Sequence, residues 1–431
     1  MKMLWISTSP IGPAGRILSL PYQGTSGGWI QTEYEALSLE DQFIYFLCAS
    51  PDVPLGQIKH AISIEGEAYC INLPKISYGK KPPKILKKNM EDVIKTINPD
   101  IIQIWGTESC ISYLASECFP HIKKVIFIQG LIGMHARYIG GYINSFHDKK
   151  YYKGVSFIEI IKEIIKAFYF KNQIFYEQKT LTNCLNVISD NEYTKAYCMS
   201  ISQDIVIYTH NLFANQLFKG MTWNYDHCEK ESIFTVYGIT AEKGLHQLLK
   251  ALKIIKKVKE NVVLYIPGPY NIDEKNHLKL SKSMRPFERW LYNYILENEL
   301  LDNVIFVGKL DIFQMIEYLK KCNIFVNPSC MEVHALSLRE ALTVGVPSVS
   351  TFCGSVSEYI NNGINAIMYR YEEHEILAYY ILKILQCPEL ACNLSSNAIQ
   401  TMKNYEKSNN SALLHNIYTN IINHKELDDI D

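Results

Sequence analysis

Residues 322–359 read CNIFVNPSCMEVHALSLREALTVGVPSVSTFCGSVSEY, and this stretch decides the fold. The apolar run 323–326 predicts a buried strand. A short loop carrying Glu332 follows. A helix is expected from Leu336 or Ser337 to Gly345, with Pro347 just past it. Glycine at the end and proline beyond it is the usual stop signal. Residues 347–351 restart as a strand. Strand, helix, strand in so short a span is a βαβ unit, so the two strands should run parallel. In an open parallel sheet, ligands bind beyond the carboxyl ends of the strands. A helix that opens there points free N–H groups and a positive dipole end into the crevice, which suits phosphate. Glu332 sits at that edge, and Glu340 lies about two helical turns further on. A carboxylate beside bound phosphate is repelled unless hydroxyls donate to it. Sugar and ribose hydroxyls are the obvious donors, so the stretch reads as a site for a phosphorylated, hydroxyl-rich ligand.

The same alternation runs outward in both directions. Upstream, 233–237 predicts a strand, 245–257 an amphipathic helix, 262–266 a strand ending at Pro267-Gly268-Pro269, and 304–307 a strand closed by Gly308. The first half has strands expected at 3–8, 43–48, 101–105, 125–129 and 187–189. A Gly-, Pro- and Ser-rich loop runs from the first strand to Gly27-Gly28, where a helix begins. Asp190 or Asn191 is placed to cap the helix after the 187–189 strand. No period is clear between about 213 and 231, so the domain boundary belongs there. The fold class is α/β, with two Rossmann-like domains at 1–222 and 223–404 and a last helix and tail at 405–431.

Bulk properties narrow the function. The chain has 431 residues, room for two or three domains, and a net charge of −1, which supplies no field for nucleic acid. There are only six arginines among 43 cations, so phosphate contacts should rest on lysines and backbone amides. Twelve scattered cysteines make no C-x-x-C pair and no zinc-like spacing, and the start MKMLWISTSP is too short and polar for a signal h-region and is expected to be a first buried strand. The expected setting is a reducing cytoplasm. No apolar run reaches the ~18 residues of a spanning helix.

The 322–359 stretch resembles the Glu-x7-Glu motif of retaining family 4 glycosyltransferases, which have the GT-B fold of two Rossmann-like domains facing a cleft. The likeness extends to Asn327-Pro328-Ser329 before it, and to Gly345-Val346-Pro347, Gly354 and Glu358 after it. The resemblance implies that Glu332 contacts the donor sugar, that Glu340 binds ribose hydroxyls, and that amides of His334, Ala335, Leu336 and Ser337 meet the sugar and diphosphate. Residues 233–252 resemble the segment that opens the second domain of these enzymes, where a Gly-Arg and a Lys-Gly follow the strand. Gly238 and Lys243-Gly244 match; Ile239 stands where the family carries arginine. Lys243 is thereby implied to neutralise the donor diphosphate, with Lys309 as a further contributor, and Glu332 and Lys243 are the implied catalytic residues. The glycine loop ending at Gly28 is implied to lie near the reacting groups. The last helix, 406–423, is implied to cross back to the first domain.

Many of the family's members also carry a histidine in a cleft loop of the first domain. Gln103, Trp105 and Gln129 occupy the matching positions here, with Glu108 and His135 nearby as alternatives. The resemblance implies a retaining enzyme using a nucleotide-diphosphate sugar, with no metal or other cofactor. The acceptor would be a glycan or a polyprenyl-linked sugar, in bacterial surface polysaccharide assembly. Two other readings stand beside it. One is a GT-B epimerase or phosphorylase. The other is a non-catalytic nucleotide-sugar-binding subunit, which Ile239 and the absent histidines would suit.

Two basic stretches complete the reading. Residues 75–88 hold six lysines around Pro82-Pro83. Residues 149–171 hold six lysines and two glutamates, with Phe157, Ile160, Ile161, Ile164, Ile165 and Phe168 at helical spacing. Such a helix either lies on an anionic membrane surface or packs its apolar face into the first domain. The terminal Asp429-x-Asp431 is expected to be solvated charge rather than a metal site.

Overall fold

The computed structural model describes residues 1–20, 28–37, 43–73, 81–143, 153–210, 216–236, 238, 240–407 and 411–423. Gly27, Ile239, part of the 75–88 stretch and the Asp429-x-Asp431 tail lie outside these residues. The chain falls into two compact units. The first comprises Met1–Gly133, Ala167–Phe213 and Ser408–Asp431; the second comprises Met134–Lys166 and Ala214–Lys407.

The first unit holds eight strands: β1 Lys2–Ser7, β2 Phe43–Ser50, β3 Ile58–Ser63, β4 Gly66–Asn72, β5 Ile101–Trp105, β6 Lys123–Phe127, β7 Asn186–Ser189 and β8 Val206–Thr209. Their order is β3-β4-β2-β1-β5-β6-β7-β8. All pairings are parallel except the β3–β4 hairpin. β5 is buried along its whole length, as expected where helices cover both faces. The hairpin and the short β8 are additions that the sequence pattern does not announce. β3 is an edge strand whose Ile62 faces solvent, so neither face carries a burial period. Asn191 caps the helix Glu192–Ile201 by accepting from the Thr194 N–H at 2.8 Å. The helix Ser411–Asn423 also belongs to this unit and packs on β6. It buries Leu414, Ile417, Tyr418 and Ile421, one helical stripe, and the Tyr418 hydroxyl donates to Gln103 Oε1.

The second unit holds six parallel strands: β9 Glu229–Phe234, β10 Val263–Pro267, β11 Val304–Gly308, β12 Cys322–Asn327, β13 Ser348–Thr351 and β14 Ile367–Tyr369. Their order is β11-β10-β9-β12-β13-β14. Counted within the unit this is 3-2-1-4-5-6, the doubly wound order. The helix Leu245–Lys256 buries Leu245, Leu248, Leu249, Leu252 and Ile255, the stripe that its spacing predicts. The helix Leu336–Val344 follows β12 and ends at Gly345, whose φ of +83° is the left-handed cap that glycine supplies without strain.

Residues 134–143 pack with this second unit. The buried Gly141 carbonyl accepts from His246 Nε2 at 2.9 Å and from the Tyr371 hydroxyl at 2.8 Å. Burial, and then Lys250, pull the His246 imidazole down to about 3, so it serves as a neutral donor. All twelve cysteines are free thiols. Among the described residues, no helix is long and apolar enough to cross a membrane.

Arg339, on the helix Leu336–Val344, is only 1% exposed, with its guanidinium 4.9 Å from the Tyr359 ring centroid and 5.0 Å from that of Tyr405. A planar cation between two rings is a geometry that lysine does not reproduce. Arg339→Lys should destabilise the protein by about 2 kcal/mol. Chemical denaturation would check this, and an unchanged midpoint would contradict the role.

Candidate functional site

β9 and β12 are neighbours at the point where the strand order reverses, so the loops that leave their carboxyl ends start side by side. The loop after β9 ends in a single turn, Ala241–Lys243, closed by Gly244 at φ +74°. A Cβ on Gly244 would lie 1.8 Å from the Pro328 carbonyl oxygen, so the two loops touch backbone to backbone. The Cys330 N–H donates to the Glu242 carbonyl at 2.9 Å and fastens them further.

This contact brings Lys243 and Glu332 together. Lys243 Nζ donates to Glu332 Oε1 at 2.6 Å, and the Ser329 hydroxyl donates to the same oxygen at 2.6 Å. Burial alone would lower the Lys243 ammonium, but the Glu332 carboxylate outweighs it and the net shift is upward. The Glu332 backbone is held as well. Its carbonyl accepts from the Ser355 N–H at 3.3 Å, and a Cβ on Gly354 would lie 1.7 Å from that oxygen. The Asn327-Pro328-Ser329 run has a clear structural part. Asn327 accepts from the Ser329 N–H at 3.2 Å and donates to the Ser350 hydroxyl at 3.0 Å, which sets the start of the loop.

The helix Leu336–Val344 opens directly after this loop. Its first N–H groups have no carbonyl one turn back. Ala335, the residue before it, stands at φ +44°, a conformation that costs a non-glycine residue about 1 kcal/mol. His334 and Ala335 are buried, while Leu336 and Ser337 are half-buried. Glu340 follows on the same helix, half-buried and without a hydrogen-bond partner among the described residues. Burial pushes its carboxyl up to about 8. His135 ends the short helix Ile132–His135 and lies within electrostatic reach of the pair. Burial, and then Lys243, lower its pKa.

Of the other expected site residues in the second unit, Lys309 lies apart from this group. Gly238 is buried, but a Cβ there would lie 2.3 Å from the Tyr270 hydroxyl, so packing already explains the glycine. Lys309 is exposed after β11, three strands from β12 and so roughly 14 Å across the sheet. Gly28 opens the helix Gly28–Ala36 in the first unit. Of the positions where histidine was expected, Gln103 is held by Tyr418 and Trp105 stacks on Phe127 at 4.6 Å. Gln129 keeps a buried amide nitrogen without a partner among the described residues. Glu108 accepts from the Thr107 N–H at 2.8 Å, and burial raises its carboxyl pKa. Sequence reasoning missed that 134–143 belongs beside Lys243; the Gly140-Gly141 pair was the only local sign.

Comparison with known proteins identifies the fold. The chain is similar to the structure of sucrose-phosphate synthase from Thermosynechococcus elongatus, at 15% identity and a TM-score of 0.69, covering 98% of this chain and 99% of that one. It is similar to a glycosyltransferase from Rickettsia africae, at 15% identity and a TM-score of 0.60, with coverage of 98% and 99%. A third similar structure is Anabaena HepE in complex with UDP-glucose, at 13% identity and a TM-score of 0.62, with coverage of 98% of both chains. At such identities these likenesses establish the fold, which is GT-B. No curated protein matches the sequence. Residues 225–401, the span that contains Lys243, Glu332 and Glu340, match the family described as Glycosyl transferases group 1. Residues 225–401 are thus similar to the group 1 glycosyl transferases, within a chain of GT-B fold.

Proposed function

We propose that the protein is a retaining glycosyltransferase that moves a sugar from a nucleotide-diphosphate donor to a glycan or polyprenyl-linked acceptor. Assembly of a bacterial surface polysaccharide, on the cytoplasmic side of the membrane, is the setting. The observation that carries the reading is the Lys243–Glu332 pair beside the open end of the helix Leu336–Val344. A diphosphate seated on that helix end gains its dipole and amides. Lys243 stands where the charge of the leaving diphosphate would develop, and Glu332 where sugar hydroxyls can donate. In a same-face transfer the acceptor O–H attacks the anomeric carbon as its bond to the phosphate oxygen breaks. The electron pair goes to that oxygen, and the acceptor proton follows it. No protein base is required for that step. UDP-glucose is the first donor to try, because the similar HepE structure holds it.

Transfer is tested by incubating the protein with a panel of nucleotide sugars and following release of sugar or nucleotide, with the product anomer read by NMR. Ile239 favours one second reading, a binding subunit without activity. Nucleotide binding with no sugar released from any donor would select it.

Glu340 gives a separate prediction. Ribose hydroxyls donate to a carboxylate, so binding should ionise a group that is mostly protonated below about 8 in the free protein. Between about 4.5 and 8, nucleoside diphosphate binding should therefore release up to one proton. Calorimetry in buffers of different ionisation enthalpy would detect it, and Glu340→Gln should abolish it. The raised pKa also means that the folded protein binds this proton more tightly than the unfolded chain. Stability from this group is present below the unfolded pKa and lost as pH rises to about 8, so Glu340→Gln should be the more stable protein at alkaline pH. A wild type that binds without proton exchange would remove Glu340 from the ribose site.

A further inference from the structure

The helix Phe157–Asn183 carries an apolar face that nothing among the described residues covers. Phe157, Ile158, Ile161, Ile165, Phe168 and Tyr169 are all exposed, Phe157 by 74% and Ile165 by 61%. At 3.6 residues per turn these six fall within an arc of about 120° and along about 18 Å of helix. Large apolar side chains gathered in one stripe mark a surface that meets something. The expectation that this face packs into the first domain does not hold for these residues.

Lysines border the stripe on both sides. Lys162 follows it on one edge and pairs with Glu159 at 2.6 Å. Lys171 lies on the other, 5.5 Å from the Phe168 ring centroid. The wider segment 149–171 holds six lysines against two glutamates, in a chain whose net charge is −1. We propose that this stripe docks the protein on an anionic lipid bilayer, with the six apolar side chains in the acyl boundary and the lysines at the headgroups. A second copy of the chain fits less well, because a twofold contact through the stripe would set each lysine border against lysines. Tyr169, at one end of the stripe, lies near enough to Glu108 for that carboxylate to help raise its phenol, after burial and Cys110. The docking itself is independent of the transfer reading.

Vesicle flotation of the full chain tests it, with phosphatidylcholine alone and with phosphatidylcholine plus phosphatidylglycerol. The protein should float with the anionic vesicles and be released by salt. The double variant Ile161→Glu/Ile165→Glu should stay behind, with its thermal midpoint and nucleotide binding unchanged, since both side chains already face solvent. Should that variant fold poorly, Lys162→Glu/Lys171→Glu gives an independent reading. Its partition should fall by about 25-fold or more, at roughly fivefold for each lysine lost. Equal recovery with and without anionic lipid overturns the proposal, as does undiminished flotation of either folded variant. Self-association that the isoleucine variant abolishes would assign the stripe to a second copy and overturn it too.

Discussion

Glu332→Gln should lower sugar transfer by about a thousandfold, the scale of removing one preorganised charge from a reaction centre. Glutamine keeps the volume and leaves an oxygen to which the Ser329 hydroxyl can donate, so the loop should survive. What disappears is the charge that holds Lys243, 2.6 Å away. Glu332 is 8% exposed, so its loss leaves a half-buried ammonium without its counter-ion. The cost in stability should be about 1–2 kcal/mol, below that of a fully buried pair because solvent reaches Lys243. Turnover and thermal midpoint together decide the point. A thousandfold loss with a midpoint change of a few degrees supports direct action on the donor. Full activity would remove Glu332 from the site. A cycle with Lys243→Met should be strongly non-additive, because the two side chains act as one unit.

Gly354→Ala should be nearly as damaging from the far side of the loop. Alanine there must hold a φ of +50° and place its Cβ on the Glu332 carbonyl oxygen. The atoms it meets are all Glu332 backbone, not a flexible side-chain end that can step aside. The Glu332 backbone must move by an ångström or more, and such a displacement costs about a hundredfold in rate. Strain and clash together should also cost about 2–4 kcal/mol of stability. Gly363→Ala is the matched control. Its φ is +80°, but nothing lies within 4 Å of the added carbon. It should lose about 1 kcal/mol and no activity. If Gly354→Ala behaves like that control in a kinetic assay, the loop is not held as described.

Much of the second unit was legible because its signals are local. The βαβ unit around 322–351 is announced by apolar runs and by Gly345 and Pro347, and the observed bounds differ by about a residue. Two α/β domains followed from the same kind of alternation. The short strands β8 and β14 were not foreseen, nor was the hairpin of β3 and β4. β3 is half out of the fold, and three or four residues carry no period. The site was legible as residues and not as contacts. Lys243 and Glu332 were each named, yet their pairing depends on Gly244 meeting Pro328, an approach between loops far apart in sequence. The packing of 134–143 on His246 and Tyr371 is of the same kind. No periodicity records such contacts, because tertiary structure alone makes them.

The central claim is that the second unit holds a nucleotide-diphosphate sugar between Lys243 and the helix Leu336–Val344. A thermal-stability titration of the full chain with nucleoside diphosphates and their sugars tests it most directly, run beside Lys243→Ala and Glu340→Gln. The account predicts that at least one of these ligands stabilises the wild type, by about 2.7 kcal/mol at a hundred times its dissociation constant. Both variants should need much higher ligand to match it. No stabilisation by any nucleotide, or equal stabilisation of all three proteins, would contradict it.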